Sequence, residues 1–299
     1  MSAALVVMST ATAFSATEAP PACPDPVPDG MGVVALFDGG WTVHLSDEAA
    51  GRWVPVETER EVRTFSFSRE RGELLYAAAD GSVRSRPLGS EAAEESELAT
   101  AGEQLRQPRL AGPDGTVYAV RFKDGASSDT EIVRVNRDSP DDTVPVVTQP
   151  GAVFSPVPDA FGRTLLYTVA HCTERCGRII QEVWRKDLVS GRADQLTLGG
   201  AMSADPVAGE DGEPVYFAVQ DESGEAVVRF DPETRTAERR FRVGERNRHP
   251  ALDGEGRLHF LTEVDGRAVI ARFGDGDDGG CHFPFPETFD DARELVAGS

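Results

Sequence analysis

Polar or ionisable residues stand immediately before a proline that recurs along the chain. The residues at this place are Asp25, Gln107, Ser155, Asp205 and His249, and Phe65 holds the same place before Ser66. In a ring of repeats they would lie on the innermost strands and face a central channel. Carboxylate, amide and imidazole groups that converge there would bind a divalent ion or a small polar ligand. The alternative is that they line a water-filled channel and bond to water and backbone. Asp25, Gln107, Asp205 and His249 are the candidate ligand-binding residues.

An acidic, glycine-rich segment near the C-terminus is a second place to look for a metal. Asp275 and Asp277 alternate with glycines, as the oxygen ligands do in the first half of a calcium-binding loop. Such a loop needs a bidentate glutamate at its twelfth position, and counting from Asp275 that position is Pro286. A solvated acidic turn is therefore favoured. Ca²⁺ is the one cofactor for which the sequence offers weak candidates, and no cofactor is certain.

Motifs that carry enzymatic chemistry are missing. The sequence has no Gly-x-Ser-x-Gly nucleophile elbow, no Walker A segment and no His-Glu-x-x-His, and it contains five histidines. A non-enzymatic binding role is the favoured interpretation. The alternative is a metal-dependent enzyme, such as a lactonase or lyase, that works at the channel around Asp205 and His249. Propeller lactonases use a glutamate, two amides and an aspartate, and this set does not match them.

A repeated unit predicts the fold. Each unit begins with a proline or serine, continues through a turn that ends in glycine, and then enters a strand rich in valine, leucine and tyrosine. The units begin at Pro26, Ser66, Pro108, Pro156, Pro206 and Pro250. A second and usually a third strand follow in each unit, so with the strand that leads into the turn there are about four strands per 40–50 residues. This period predicts an all-β, six-bladed β-propeller of four-stranded antiparallel blades.

The units resemble a known family. Segments such as Pro108 to Gly115 followed by Thr116-Val117-Tyr118 look like the WD40-like repeats of TolB-type β-propellers, which are proteins of bacterial envelopes. The resemblance covers about residues 24–285. It implies a protein of the periplasm or cell exterior that binds a protein or another envelope component. It specifies the fold better than the function, because propellers host many unrelated activities.

The chain divides into three parts. Residues 1–16 form a signal peptide or disordered leader, because an apolar run at Ala3–Met8 precedes the small-x-small pattern Ala11-Thr12-Ala13. Residues 17–286 form the propeller. Residues 287–299 form a C-terminal tail, within which residues 289–296 make one short helix or fray.

The four cysteines are an even set, which in an exported protein predicts two disulfides. Cys23 lies just before the first blade and Cys281 just after the last strand of the sixth, so ring closure makes them neighbours and predicts a bridge across the seam. Cys172 and Cys176 would staple a loop tip in the fourth blade. The alternative is a metal site formed by His171 with both cysteines, for which no fourth ligand is visible.

The charge balance limits the partners. The formal net charge is −21, from 51 acidic and 30 basic residues. Phosphate backbones would repel such a chain, so nucleic acid is not expected as a partner. No stretch of about 18 apolar residues is present, so no transmembrane segment is predicted. We expect a monomeric ring.

Overall fold

The computed structural model is a ring of six four-stranded antiparallel sheets, which confirms the predicted all-β, six-bladed propeller. The structure describes residues 20–47, 51–89, 94–100, 102, 104–111, 114–123, 129–139, 142–172, 179–198, 201–209, 212–274 and 280–298. No helix in this part of the chain is long and apolar enough to cross a membrane.

The strands are numbered in chain order. They are β1 Met31–Phe37, β2 Gly40–Asp47, β3 Arg52–Val56, β4 Val62–Ser68, β5 Glu73–Ala78, β6 Val83–Pro87, β7 Ser96–Ala99, β8 Leu105–Ala111, β9 Thr116–Phe122, β10 Thr130–Val135, β11 Thr143–Val147, β12 Ala152–Pro158, β13 Thr164–Cys172, β14 Ile179–Asp187, β15 Ala193–Gln195, β16 Met202–Ala208, β17 Val215–Asp221, β18 Gly224–Asp231, β19 Thr236–Phe241, β20 Glu245–Leu252, β21 Leu258–Val264, β22 Arg267–Phe273, β23 Cys281–Pro284 and β24 Phe289–Ala297.

Blades 2 to 6 each consist of four consecutive strands. They are β4–β7, β8–β11, β12–β15, β16–β19 and β20–β23, and strands that follow each other in the chain are neighbours in the sheet. The first strand of each blade is innermost, because residues of these strands hydrogen-bond from one blade to the next around the axis. The strand predicted after each turn glycine is confirmed as the second strand of its blade.

Blade 1 differs from the prediction at its innermost strand. Its order is β24-β1-β2-β3, so the last strand of the chain completes the first blade. The pairing places Val33 opposite Leu295 and Val34 opposite Glu294. The interpretation of residues 287–299 as a tail with a short helix or frayed end is therefore wrong. The physical reason is that β1 would otherwise present an unpaired edge to the channel, and β24 satisfies its backbone groups.

A disulfide and a short N-terminal segment cover the same seam from outside. Cys23 and Cys281 form the predicted bridge, which joins residues 258 apart in sequence. Ala22 forms a parallel bridge with His282, and the His282 amide donates to the Pro21 carbonyl. The seam between blades 6 and 1 is thus closed by β24 near the axis and by the disulfide at the outer edge. The predicted Cys172–Cys176 pair lies outside the described residues, because Cys176 is not among them.

The hydrophobic core lies between blades. Among the described residues, buried apolar side chains form six clusters, and each cluster joins two neighbouring blades. The cluster between blades 1 and 2 contains Val34 together with Phe65, Phe67 and Tyr76. Gly32 permits this approach, because a Cβ there would lie 2.8 Å from the Phe65 ring. Each sheet has two apolar faces, so each blade is stabilised by both of its neighbours.

Candidate functional site

The residue before the repeat proline has the same unusual backbone conformation in four blades. Gln107, Ser155, Asp205 and His249 all have a φ of 51°, which non-glycine residues seldom adopt. The register between the first and second strands shifts at each of these places. The following proline lacks an N–H and cannot donate to the ladder, which favours a bulge in the first strand there. The bulge puts one polar residue of each of these blades at the axis.

Hydrogen bonds join these residues from blade to blade, and we call the connected set the axial belt. The backbone N–H of Gln107 donates to Thr64 Oγ1 of blade 2 at 2.9 Å. The Ser155 amide donates to Gln107 Oε1 at 2.7 Å, and the Ser155 hydroxyl donates to Asp205 Oδ1 at 2.7 Å. His249 Nδ1 lies 3.2 Å from Asp205 Oδ2. The belt therefore runs without interruption from blade 2 to blade 6.

Glu294 of β24 and Arg109 of β8 complete the belt on the other side of the axis. Arg109 Nη2 donates to Glu294 Oε1 at 3.0 Å, and the Phe65 amide donates to Glu294 Oε2 at 3.2 Å. The Arg109 guanidinium also donates to the Phe65 carbonyl. Blades 1, 2 and 3 are therefore joined through one buried carboxylate.

Burial and charge act in opposite directions on the ionisable groups of the belt. Burial alone would raise the pKa of Asp205, but the charge and hydrogen bond of His249, with help from the Ser155 hydroxyl, lower it to about 2. Burial would lower the pKa of His249, and the Asp205 carboxylate raises it above its usual value instead. For Glu294, burial raises the pKa and outweighs the opposing charges of Arg109 and His249.

Three of the four predicted channel residues are brought together, and one is not. Gln107, Asp205 and His249 all belong to the axial belt. Asp25 does not, and its assignment to the channel is wrong: it is exposed, and Arg272 Nη2 donates to its Oδ2 at 3.2 Å. The place expected for Asp25 is taken by Glu294, because β24 rather than the N-terminal segment supplies the inner strand of blade 1.

Sequence reasoning missed Glu294 and Arg109. Glu294 is not followed by proline, so the marker that identifies the other axial residues is absent. Ring closure could have indicated this residue. The first repeat has no inner strand of its own, so the C-terminal segment must supply one. Arg109 stands two residues after Gln107, and its role depends on a contact with blade 1 that no local pattern reveals.

The belt does not fit a divalent ion. Both carboxylate oxygens of Asp205 already contact Ser155 and His249, and both oxygens of Glu294 accept hydrogen bonds. Across the residues that the structure describes, no three His, Cys, Asp or Glu side chains are grouped so as to hold a metal. Asp275 and Asp277, the candidates for Ca²⁺, lie outside the described residues.

A large cavity, which we call the funnel, opens from the belt to one face of the ring. Its volume is about 1480 Å³. The loops between the first and second strands of blades 2, 4, 5 and 6 line its wide end, and Glu61, Arg63 and Arg293 lie at its other end, the far mouth. On the rim, the Phe161 side chain is 59% exposed, and the Arg163 guanidinium lies 4.7 Å from the centre of its ring. The funnel is therefore a polar, partly charged concavity with one exposed aromatic at its edge.

Comparison with known proteins identifies the fold. No family model matches the chain, and no curated protein matches it. The structure of TolB from Acinetobacter baumannii is similar with a TM-score of 0.70 and 14% identity, over 90% of this chain and 66% of that one. This chain thus spans about two thirds of that TolB structure.

Two further structures widen the comparison. A putative TolB from Agrobacterium tumefaciens has a TM-score of 0.55 and 13% identity, over 84% of this chain and 90% of that one. An oligogalacturonate lyase in complex with manganese has a TM-score of 0.62 and 11% identity, over 90% of this chain and 78% of that one. Identities this low bear on the fold alone. The chain has the fold of a TolB-like six-bladed β-propeller.

Proposed function

We propose that this chain is an exported, periplasmic or extracellular propeller that acts as a non-enzymatic binding module. Its partner is a protein or another component of the cell envelope, held by the face on which the funnel opens. The proposal rests on one contrast. The charged side chains at the axis are paired with each other, whereas the rim of the funnel is open to solvent.

The axis supports binding rather than catalysis because its charges are used internally. Asp205 is paired with His249, and Glu294 is paired with Arg109. A general acid or base must reach a substrate proton with a free oxygen or nitrogen. Here the carboxylate oxygens contact residues of neighbouring blades instead, and these contacts join the first strands around the axis.

The rim supports a macromolecular partner. Aromatic and arginine side chains are enriched in protein interfaces, and exposed aromatics next to concave surfaces are typical binding residues. Phe161 and Arg163 form such a pair on the loop between β12 and β13. Arg185, 3.7 Å from Glu213, adds a weakly paired cation to the same side of the funnel.

Export is supported by the cysteines. A bond between Cys23 and Cys281 persists only where the compartment is oxidising, as in the periplasm or outside the cell. The proposed signal peptide, residues 1–16, lies outside the described residues. Fusion of residues 1–30 to a reporter that is active only after export tests the location, and an inactive reporter would contradict it.

Capture experiments test the binding function. The oxidised chain is immobilised and exposed to envelope and secreted fractions of the organism that encodes it. A partner retained by the wild type should be lost by the double variant Phe161→Ala and Arg163→Ala. The matched control is Ile179→Ala, because Ile179 is 57% exposed on the opposite face of the same blade. A partner that the double variant retains, or that Ile179→Ala loses equally, would place binding elsewhere.

A metal-dependent enzyme is the second candidate. The observation that favours it is the similarity in fold to oligogalacturonate lyases, one of them in complex with manganese. The axial residues described above do not fit a metal, and no reaction step follows from them. Thermal unfolding with and without Mn²⁺ or Ca²⁺, together with metal analysis, tests this candidate. A stoichiometric metal, lost in Asp205→Asn and His249→Asn, would replace the binding role with this one.

A further inference from the structure

In four consecutive blades an arginine directly precedes the residue that belongs to the axial belt, which in blade 2 is Thr64. The arginines are Arg248 in blade 6, Arg293 in blade 1, Arg63 in blade 2 and Arg106 in blade 3, whereas blades 4 and 5 have Phe154 and Ala204 there. We propose that the protein binds an oxyanion of the phosphate type between Arg63, which lines the far mouth of the funnel, and Arg106 on the neighbouring strand. This site is separate from the rim that carries the proposed protein binding.

Contacts between blades 2 and 3 bring the chain positions of the two arginines close together. The backbone N–H of Gln107 donates to Thr64 Oγ1. The inner strands of blades 2 and 3 are therefore adjacent at Thr64 and Gln107, the residues that directly follow Arg63 and Arg106. The Leu105 amide donates to the Gly81 carbonyl, in the hairpin turn between β5 and β6. This turn lies on the face opposite the funnel loops, because the hairpins between second and third strands reverse there.

Neither arginine of the pair is neutralised by the protein. Both are exposed, and neither has a hydrogen-bond or ion-pair partner within the described ranges. The contact shown for Arg106 is with the Phe122 ring, whose centre lies 4.6 Å from the guanidinium carbon. Partial burial of the Arg106 guanidinium lowers its pKa, and the nearby charge of Arg63 lowers it further. Two like charges held near each other repel, and an anion between them removes that cost.

Acidic groups near this pair are engaged mainly with other arginines. Glu61 lies at the same mouth as Arg63, but no ion pair joins the two in the described part of the chain. Glu61 and Asp291 act on Arg293, and Glu294 is held by Arg109. Arg248 lines a separate cavity of about 260 Å³ together with Asp290 and Asp291. The surplus of positive charge is therefore at Arg63 and Arg106, in a chain whose 51 acidic residues outnumber its 30 basic ones.

The chemistry of the pair selects a tetrahedral oxyanion. Each guanidinium offers five N–H donors in a planar fork, and two forks side by side match the several oxygens of a phosphate group. Stacking on Phe122 limits the movement of Arg106, so less freedom is lost on binding. The net charge of −21 repels a large anionic surface. A free phosphate or a soluble phosphate ester is therefore the expected ligand, rather than the headgroup of a lipid in a membrane.

Titration calorimetry at low ionic strength tests the site with inorganic phosphate and with pyrophosphate. We expect one site, with affinity reduced about tenfold or more by Arg63→Ala and by Arg106→Ala, since each removes charge-assisted hydrogen bonds. The matched control is Arg134→Ala, because Arg134 is an exposed arginine of blade 3 without an ion pair in the described part of the chain. All three are surface changes, and thermal unfolding checks that each variant is folded.

Two outcomes decide the proposal. Equal binding by the wild type and both variants, or equal weakening by Arg134→Ala, would overturn it. Co-flotation with anionic phospholipid vesicles distinguishes the sources of phosphate. Flotation that depends on Arg63 and Arg106 would assign the site to a lipid headgroup, whereas binding of the free anions without flotation supports a soluble ligand.

Discussion

The Asp205–His249 pair should make the stability of the ring depend on pH in two separate pH ranges. The folded-state pKa of Asp205 is lowered from 3.8 to about 2, so its contribution is present above about pH 3.8 and is lost as the pH falls through 2. The folded-state pKa of His249 is raised above 6.5, so its contribution is complete below 6.5 and is lost as the pH rises through that higher value. The pair therefore stabilises the ring most between these limits. Arg109, Arg248 and Glu294 are the other charged groups that act on it.

His249→Asn is the perturbation that isolates this effect. Asparagine tolerates the φ of 51° at this position better than other uncharged residues do. Lowering the pKa of Asp205 from 3.8 to about 2 corresponds to about 2 kcal/mol of stability. At about pH 5.5 we expect the variant to lose about 2 kcal/mol, or about 4–8 °C in Tm. Above the folded-state pKa of His249 the loss should be smaller, because the wild-type imidazole is neutral there.

Urea and thermal unfolding at about pH 5.5 and about pH 9 measure the difference. Asp205→Asn removes the other partner and should show the same dependence on pH. Asp265→Asn is the matched control, because Asp265 has the same φ of 51° in an exposed turn. A loss of stability by His249→Asn that is equal at both pH values would refute the reasoning, since it would come from packing and not from charge.

Three further predictions concern the closure and packing of the ring. Replacing Cys23 and Cys281 together by alanine should lower the urea midpoint of unfolding under oxidising conditions, because the bridge closes a loop of 258 residues. The chain-entropy relation gives about 5 kcal/mol as the upper limit of the lost stability. An unchanged midpoint would contradict this prediction. Gly32→Val should cost about 1–3 kcal/mol in chemical unfolding, because its side chain meets a buried phenylalanine ring, whereas Gly40→Ala should cost little. Deletion of residues 289–299 should give a poorly folded or aggregating chain by gel filtration, because β1 loses its inner partner; a stable monomer would show that β24 is dispensable.

Much of the ring could be predicted because its markers are local. Each proline interrupts the ladder at one place, and each glycine ends a turn a few residues later, so period and strand position follow from short segments. For the same reason Gln107, Asp205 and His249 could be assigned to the channel. The residue before such a proline bulges towards the axis in blades 3 to 6.

The parts that could not be predicted depend on contacts between distant residues. Asp25 precedes Pro26 as the other candidates precede their prolines, yet it lies outside the channel because β24 supplies the inner strand of blade 1. Glu294 reaches the axis through a pairing with β1 that joins residues about 260 apart. The sequence alone predicted a tail there, with one short helix or a frayed end. The Cys23–Cys281 bridge was predictable because ring closure had already made those two points neighbours.

The arrangement of charge along the axis separates the functions that its parts can have. In the middle, Asp205 is neutralised by His249 and Glu294 by Arg109, so a ligand there would have to break a pair that joins blades. At the two ends, Arg163 on the rim and Arg106 on the strand next to the far mouth stack on aromatic rings. Ligands at either end can bind without disturbing the belt. Substitutions at the two ends should therefore have independent effects, as expected of distant sites, while substitutions in the belt should alter stability before they alter either kind of binding.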